Sequence, residues 1–428
     1  MQRWSAGDTA LSDLPRDETW SDDERKARQR ARLEAMLREV LATNPFYRAK
    51  LGARVSLDEL AALPFTTKSE LSADQAEHPP YGTNLTYPLD RYVRLHQTSG
   101  TTGAPLRILD TAESWRWWAD IWLRVYRAAG VTAADRVLFA FSFGPFIGFW
   151  SAFAGAESLG ALCISGGAQT SAERLASIVA TRATVLLCTP TYALRLSEVA
   201  RAEGIDLPAS SLRIAIHAGE PGASIPATRE RIESAFGVTT FDHTGGTEVG
   251  PTGFSCAARD GVHLVESEFL VEVLDANGTS HEEGEGELVL TNLGRWGSPA
   301  IRYRTGDRVD AHRGICACGR TLVKLHGGIL GRVDDMVTVR GVNVFPSAIE
   351  NIIRRFDEVD EFRIELAQER GMDVLRCVVE QREGTPGDLP ERVADAIHRN
   401  VGIRCEVSLA APGSLPRFET KARRFIRT

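Results

Sequence analysis

Between Arg136 and Asp242, short apolar runs alternate with helical stretches, and this alternation constrains the fold more than any other feature. Arg136–Phe143, Ala183–Cys188, Leu212–His217 and Val238–Asp242 read as strands. Ser171–Ala180, Ala193–Glu203 and Pro226–Phe236, between them, read as helices. Strands alternating with helices imply βαβ units and mainly parallel pairing.

The texture changes after Val262, where His263–Leu274 and Gly286–Leu290 read as antiparallel strands. Beyond Gly331 a small α+β unit is expected, with a helix near Pro346–Phe356 and strands near Phe362–Leu366 and Val374–Val379. Ser21–Leu41 reads as an amphipathic helix, and Trp115–Ala128 as a second, rich in Trp and Arg. A chain of 428 residues exceeds one simple core, so a multidomain protein is expected. The fold class is α/β: a large N-terminal domain (1–330) of βαβ-built sheets plus an antiparallel subdomain, then a small α+β C-terminal domain (331–428).

A net charge of -7 gives no reason to expect nucleic acid as a partner. No apolar run approaches a membrane span, and Arg3, Asp8, Asp13 and Arg16 stand where a signal peptide needs an apolar core. A soluble, cytoplasmic enzyme without membrane partners is expected. Seven cysteines in this length do not form a disulfide scaffold.

The stretch Thr98-Ser99-Gly100-Thr101-Thr102-Gly103-Ala104-Pro105 follows the strand-like Arg91–Leu95. Glycines and hydroxyls in this pattern can wrap phosphate oxygens with N–H and O–H donors. It lacks the Gly-Lys-Ser/Thr ending of a Walker loop, and a polar surface turn is the plainer alternative. Four more motifs follow in order. His243-Thr244-Gly245-Gly246-Thr247-Glu248 sets a carboxylate beyond a Gly-Gly turn, and Tyr303-Arg304-Thr305-Gly306-Asp307 sets one on a tight turn suited to ribose hydroxyls. Gly331-Arg332-Val333-Asp334 leads on to Arg340-Gly341-Val342-Asn343, and Leu415-Pro416-Arg417 precedes Lys421.

Taken together, these motifs resemble the adenylate-forming superfamily of acyl-CoA synthetases, adenylation domains and luciferases, and within it the phenylacetate–CoA ligase family. Asn44-Pro45-Phe46-Tyr47-Arg48, Leu63-Pro64-Phe65-Thr66-Thr67-Lys68 and the tail from Gly413 to Arg424 carry the resemblance further. It implies attack of a carboxylate on the α-phosphate of ATP, followed by displacement of AMP by a thiol. By resemblance, Thr98, Ser99, Gly100, Thr101, Thr102 and Gly103 hold the β- and γ-phosphates. Thr247 touches the α-phosphate and Glu248 binds Mg²⁺, a hard cation suited to oxygen ligands. Asp307 and Arg332 contact the ribose, while Gly219, Glu220 and Pro221 line the adenine side. Lys421 stabilises charge at the reacting carboxylate and α-phosphate. The small domain is mobile, swinging about a hinge at Asp334 to bring Arg340 and Gly341 to the thiol channel.

One position departs from the family pattern. Thr244 stands where an aromatic residue commonly packs on adenine, and His243 beside it is either structural or faces the acyl pocket. The aromatic run from Val137 to Trp150, with Phe141, Phe146 and Trp150, suits an aryl or arylacetic acid or else plain core packing. His217 is a further candidate for the acyl side.

Cys256, His263, Cys316 and Cys318 could complete a tetrahedral zinc site, although free thiols satisfy the same spacing. The family resemblance implies structural Zn²⁺. Cys163, Cys188, Cys377 and Cys405 read as core. Coenzyme A is the expected acceptor. A phosphopantetheine on a separate carrier protein is the alternative, and a catalytically silent nucleotide-binding homologue a third. The resemblance also admits a homodimer.

Overall fold

The computed structural model describes residues 14–52, 55, 61–98, 104–220, 222–333, 337–339, 342–369, 372–382, 387–418 and 424–427. Helices begin where the sequence provides caps. Ser21 accepts from the Glu24 N–H to start Asp22–Thr43, and Thr170 and Glu173 form a capping box at Ser171–Ala180. Ala112–Ala128 opens on Thr111 and presents Trp117, Trp118 and Trp122 to the core.

Among the described residues one sheet of thirteen strands organises the larger part. Its parallel half runs in the order Leu162–Ser165, Arg136–Phe139, Val185–Cys188, Ile214–His217 and Thr239–Gly246. Thr239–Gly246 is the junction. It pairs in parallel with Ile214–His217 through Asp242, then antiparallel with Gly250–Phe254 from His243 onward. The antiparallel half continues through Gly261–Leu264, Lys324–His326, Tyr303–His312, Gly284–Asn292 and Phe269–Leu274. The expected sheets and antiparallel subdomain are therefore one continuous surface.

Two expectations are corrected in detail. The strand beginning at Arg136 stops at Phe139, because the chain turns through Ser142 and Gly144. The run His263–Leu274 is two strands, Gly261–Leu264 and Phe269–Leu274, separated by a turn in which the Glu268 N–H donates to the Val265 carbonyl.

Both sheet faces of the parallel half are buried, as parallel strands require. Phe139, Ile216 and Phe241 pack with Trp122 and Phe149 on one face; Leu138, Leu186 and Ala215 pack with Leu175 and Tyr192 on the other. A separate apolar cluster is built only from residues between Val337 and Cys405. It fills the space between helices Pro346–Ile353 and Leu389–Val401 and a four-stranded sheet ordered Cys405–Ala410, Met372–Gln381, Val359–Glu369, Phe425–Arg427. Among the described residues no helix is long and apolar enough to cross a membrane.

Candidate active site and thiolate cluster

The junction strand delivers Thr247 and Glu248 into the hairpin turn that joins it to Gly250–Phe254. Arg295, fully buried, holds that turn from beneath. It donates to both carboxylate oxygens of Asp110 at 2.7 Å, to the Thr247 carbonyl at 2.7 Å and to the Glu248 carbonyl at 3.2 Å. A buried guanidinium needs such full pairing, and the arrangement fixes the backbone from which the Glu248 carboxylate projects. That carboxylate meets the Lys68 ammonium at 3.2 Å, so one cation is already drawn to it.

Asp307 lies where Tyr303–His312 pairs with the short strand Gly331–Arg332, in the register Asp307 to Arg332. Arg332 donates to the Thr305 carbonyl at 2.6 Å and reaches Asp307 at 3.3 Å. Gly306 has φ +73, and a Cβ there would meet the Arg332 guanidinium, so the turn requires glycine. The sequence-predicted ribose pair is thus assembled in space.

Gly219, at φ +92, carries the chain past Thr189. Glu220 accepts from the Thr191 N–H at 3.0 Å; burial pushes its carboxyl up, against the pull of Thr191 and the Arg424 charge. Thr244 is hydrogen-bonded across the hairpin to Thr252 at 3.0 Å. His243 donates from Nδ1 to the Gly253 carbonyl at 2.8 Å and lies 4.2 Å from the Trp122 ring. Burial lowers its pKa to about 3, so it stays neutral at physiological pH. His217 shares the apolar face of Cys188 and donates to the Cys188 carbonyl at 3.1 Å, leaving Nε2 buried and unpaired. That face is opposite the one bearing Phe139 and Phe149. Phe141 and Phe149 meet edge-on at 5.1 Å, and Phe143 meets Trp150 at 4.8 Å. Phe146 is exposed. Thr98 is buried and accepts from the Leu106 N–H. Ser99, Gly100, Thr101, Thr102, Gly103, Pro221, Asp334, Arg340, Gly341 and Lys421 lie outside the described residues.

Lys68, Asp110 and Arg295 were missed by sequence reasoning. Lys68 stands in a segment quoted only for its resemblance, and no local spacing links Asp110 to Arg295.

The four predicted metal ligands converge. One ligand atom from each of Cys256, His263, Cys316 and Cys318 lies within 4.8 Å of the others. Bond lengths of about 2.3 Å to sulfur and 2.0 Å to nitrogen place tetrahedral S···S and S···N contacts near 3.8 and 3.6 Å. Cys256 Sγ and Cys316 Sγ are 3.8 Å apart, and Cys318 Sγ and His263 Nε2 are 3.6 Å apart. The His263 Nδ1–H donates to the Leu322 carbonyl at 3.2 Å, which leaves Nε2 free to ligate. Hydrogen bonds from Cys256 and Cys316 push the Cys318 thiol far down, while those to Cys316 and Cys318 hold Cys256 up. Burial alone would lower His263, but its hydrogen bonds to Cys316 and Cys318 raise it to about 9. These four residues fit a closed zinc site.

Comparison with known proteins gives this geometry a family. Residues 341–428 match the AMP-binding enzyme C-terminal domain. Phenylacetate–coenzyme A ligase of Thermus thermophilus is 33% identical across 95% of this chain and 96% of its own length. The Escherichia coli enzyme of the same name is 35% identical, with 95% of each chain covered. Both belong with the adenylate-forming ligases, and the chain described here is a member of the phenylacetate–coenzyme A ligase family. The 2-hydroxyisobutyryl-CoA ligase structure in its postadenylation state with 2-HIB-AMP is 30% identical, covers 100% of this chain and 95% of that one, and superposes with a TM-score of 0.91. The same ligase in its thioesterification state, with 2-HIB-AMP and CoA, gives 0.72 at 31% identity, over 100% of this chain and 96% of that one.

Proposed function

We propose that this chain activates a small aromatic carboxylic acid with ATP, forms the acyl-adenylate, and transfers the acyl group to coenzyme A. The observation that carries the reading is the Thr247–Glu248 turn, braced by Arg295 at the end of the strand that changes from parallel to antiparallel pairing. Positioning and charge neutralisation do most of the work in phosphoryl chemistry. Asp307 and Arg332 fix the ribose, and the loop 98–103 holds the departing pyrophosphate. Mg²⁺ bound by Glu248 would neutralise phosphate charge, in exchange for the Lys68 contact. The half-buried Phe141 and Trp150 and the exposed Phe146 supply the aromatic wall offered to the acid, with buried Phe149 packed edge-on to Phe141. Acid-dependent pyrophosphate release from ATP tests the adenylation step, and thioester formation on adding coenzyme A tests the second.

The chain divides near Gly331 into a large domain and a small one, and the small domain turns between the two half-reactions. The separate apolar core of residues 337–405 supports the division. The higher TM-score against the postadenylation form than against the thioesterification form supports an arrangement for adenylation. Among the described residues, the contacts spanning the two parts include Arg424 Nη1 donating to Thr191 Oγ1 at 3.2 Å, Arg231 donating to the Val359 carbonyl at 3.2 Å, and Arg417 lying 3.5 Å from Glu198. Turning the small domain breaks all three.

The thiolate cluster holds structural zinc, tying the Cys316–Cys318 loop to the segment from Cys256 to His263. Zinc removal with a strong chelator is expected to lower the thermal midpoint by several degrees and restoration of Zn²⁺ to recover it, about 1 kcal/mol being worth roughly 1–1.5 °C in a unit of this size. Absence of zinc by elemental analysis in protein purified without chelator, with a midpoint that chelation leaves unchanged, would exclude the site.

A further inference from the structure

A second group of ligand-type side chains lies on the stem of the hairpin whose loop carries Cys316 and Cys318. Strands Tyr303–His312 and Lys324–His326 pair Ala311 with Leu325 and His312 with Lys324. One step further along this register sets Asp310 opposite His326. The period of two keeps Asp310 and His312 on the same face. The strand ladder therefore presents two ligands at i and i+2, with a third across from the first.

The geometry agrees with the register. One carboxylate oxygen and one nitrogen of each imidazole lie within 4.8 Å of one another. His312 Nε2 is 2.7 Å from Asp310 Oδ1, and the two imidazole rings stack with centroids 4.2 Å apart at 23°. Both histidines are exposed and Asp310 half-buried, so a hydrated ion can approach. Lys324, two residues before His326, is already paired with Asp260 at 2.6 Å, which offsets its repulsion of a cation.

We propose that Asp310, His312 and His326 form an open binding site for a divalent transition metal, with water completing the coordination. Two imidazoles and one carboxylate favour borderline ions such as Zn²⁺, Co²⁺ or Ni²⁺ over Mg²⁺ and Ca²⁺, which prefer oxygen alone. Because the ligands stand on paired strands, little ordering opposes binding, and the ion would staple the base of the loop that carries Cys316 and Cys318. The site differs in kind from the thiolate cluster: exposed rather than buried, and nitrogen and oxygen rather than sulfur.

Co²⁺ titration of protein carrying one equivalent of zinc, held in the thiolate cluster, followed by absorbance, tests the proposal. Cobalt on thiolates gives intense near-ultraviolet charge-transfer bands, whereas cobalt on imidazole and carboxylate gives only weak visible bands. The expected result is one equivalent of Co²⁺ bound with weak visible bands alone. Its affinity should fall by about tenfold or more in His312→Ala/His326→Ala. Circular dichroism and ligase activity of that variant should match the parent, since neither histidine lies in the proposed catalytic machinery. Equal cobalt stoichiometry and affinity in parent and variant, or cobalt binding that always brings charge-transfer bands, would overturn the site. Neither outcome depends on which acid the enzyme activates.

Discussion

Replacing Lys421 with alanine is expected to slow acid-dependent pyrophosphate release by about a hundred- to a thousandfold, the usual effect of deleting one donor aimed at developing charge. In the mechanism proposed here the ammonium acts in the first half-reaction only. Negative charge builds on the α-phosphate as the acid attacks, and a compact cation on a flexible stem meets it there. Transfer from a preformed acyl-adenylate to coenzyme A should proceed at the parent rate, because the proposed domain rotation precedes that step. The thermal midpoint should also match the parent. Lys421→Arg should restore little, since a planar guanidinium does not substitute for a compact ammonium at a crowded site. Adenylation by Lys421→Ala at the parent rate would remove the residue from the mechanism.

Replacing Arg424 with glutamine is expected to act on both stability and rate. Its guanidinium is almost wholly buried and bonds both Glu361 oxygens, at 2.6 and 3.1 Å, and Glu350 at 3.2 Å. Burial would lower its affinity for the proton, but the facing carboxylates Glu350 and Glu361 hold it charged. Removing it breaks a buried, hydrogen-bonded ion pair and leaves Glu361 with the charge of Arg354 in place of two guanidinium charges, at a cost of up to about 3–5 kcal/mol. It also removes the bond to Thr191, and so the tie between the strand following Lys421 and the helix Pro190–Ala202. Thr191→Val removes that tie together with the Thr191 hydroxyl's hydrogen bond to Glu220, at about 1 kcal/mol for each bond. It should slow pyrophosphate release severalfold while leaving acyl transfer from added adenylate unchanged. Equal slowing of both half-reactions in Arg424→Gln, with Thr191→Val behaving as the parent, would assign Arg424 a purely structural role.

The parts of the fold legible in the sequence were those coded locally. Ser171–Ala180 and Pro226–Phe236 match their helices end for end, because a cap or a proline opens each one. The parallel strands were visible because burial on both faces leaves an uninterrupted apolar run. Their continuation into a single antiparallel sheet was not, since it depends on Lys324–His326 pairing with Gly261–Leu264, segments far apart in the chain. The candidate site divides in the same way. Asp307 and Arg332 each sit in a short motif and meet through strand register. Lys68 beside Glu248, and Arg295 beside Asp110, are pairs that only the tertiary fold creates. The thiolate residues were recognisable by type, but their closure required the hairpin that returns Cys316 and Cys318 to Cys256 and His263.

The most direct test of acyl activation is pyrophosphate release from ATP and Mg²⁺ over a panel of aromatic and aliphatic acids, with the coenzyme A product identified by mass. Release that requires an aromatic acid, with the matching thioester appearing only when coenzyme A is added, is the predicted result. Absence of acid-dependent release across the panel, from folded protein that binds ATP, would contradict it.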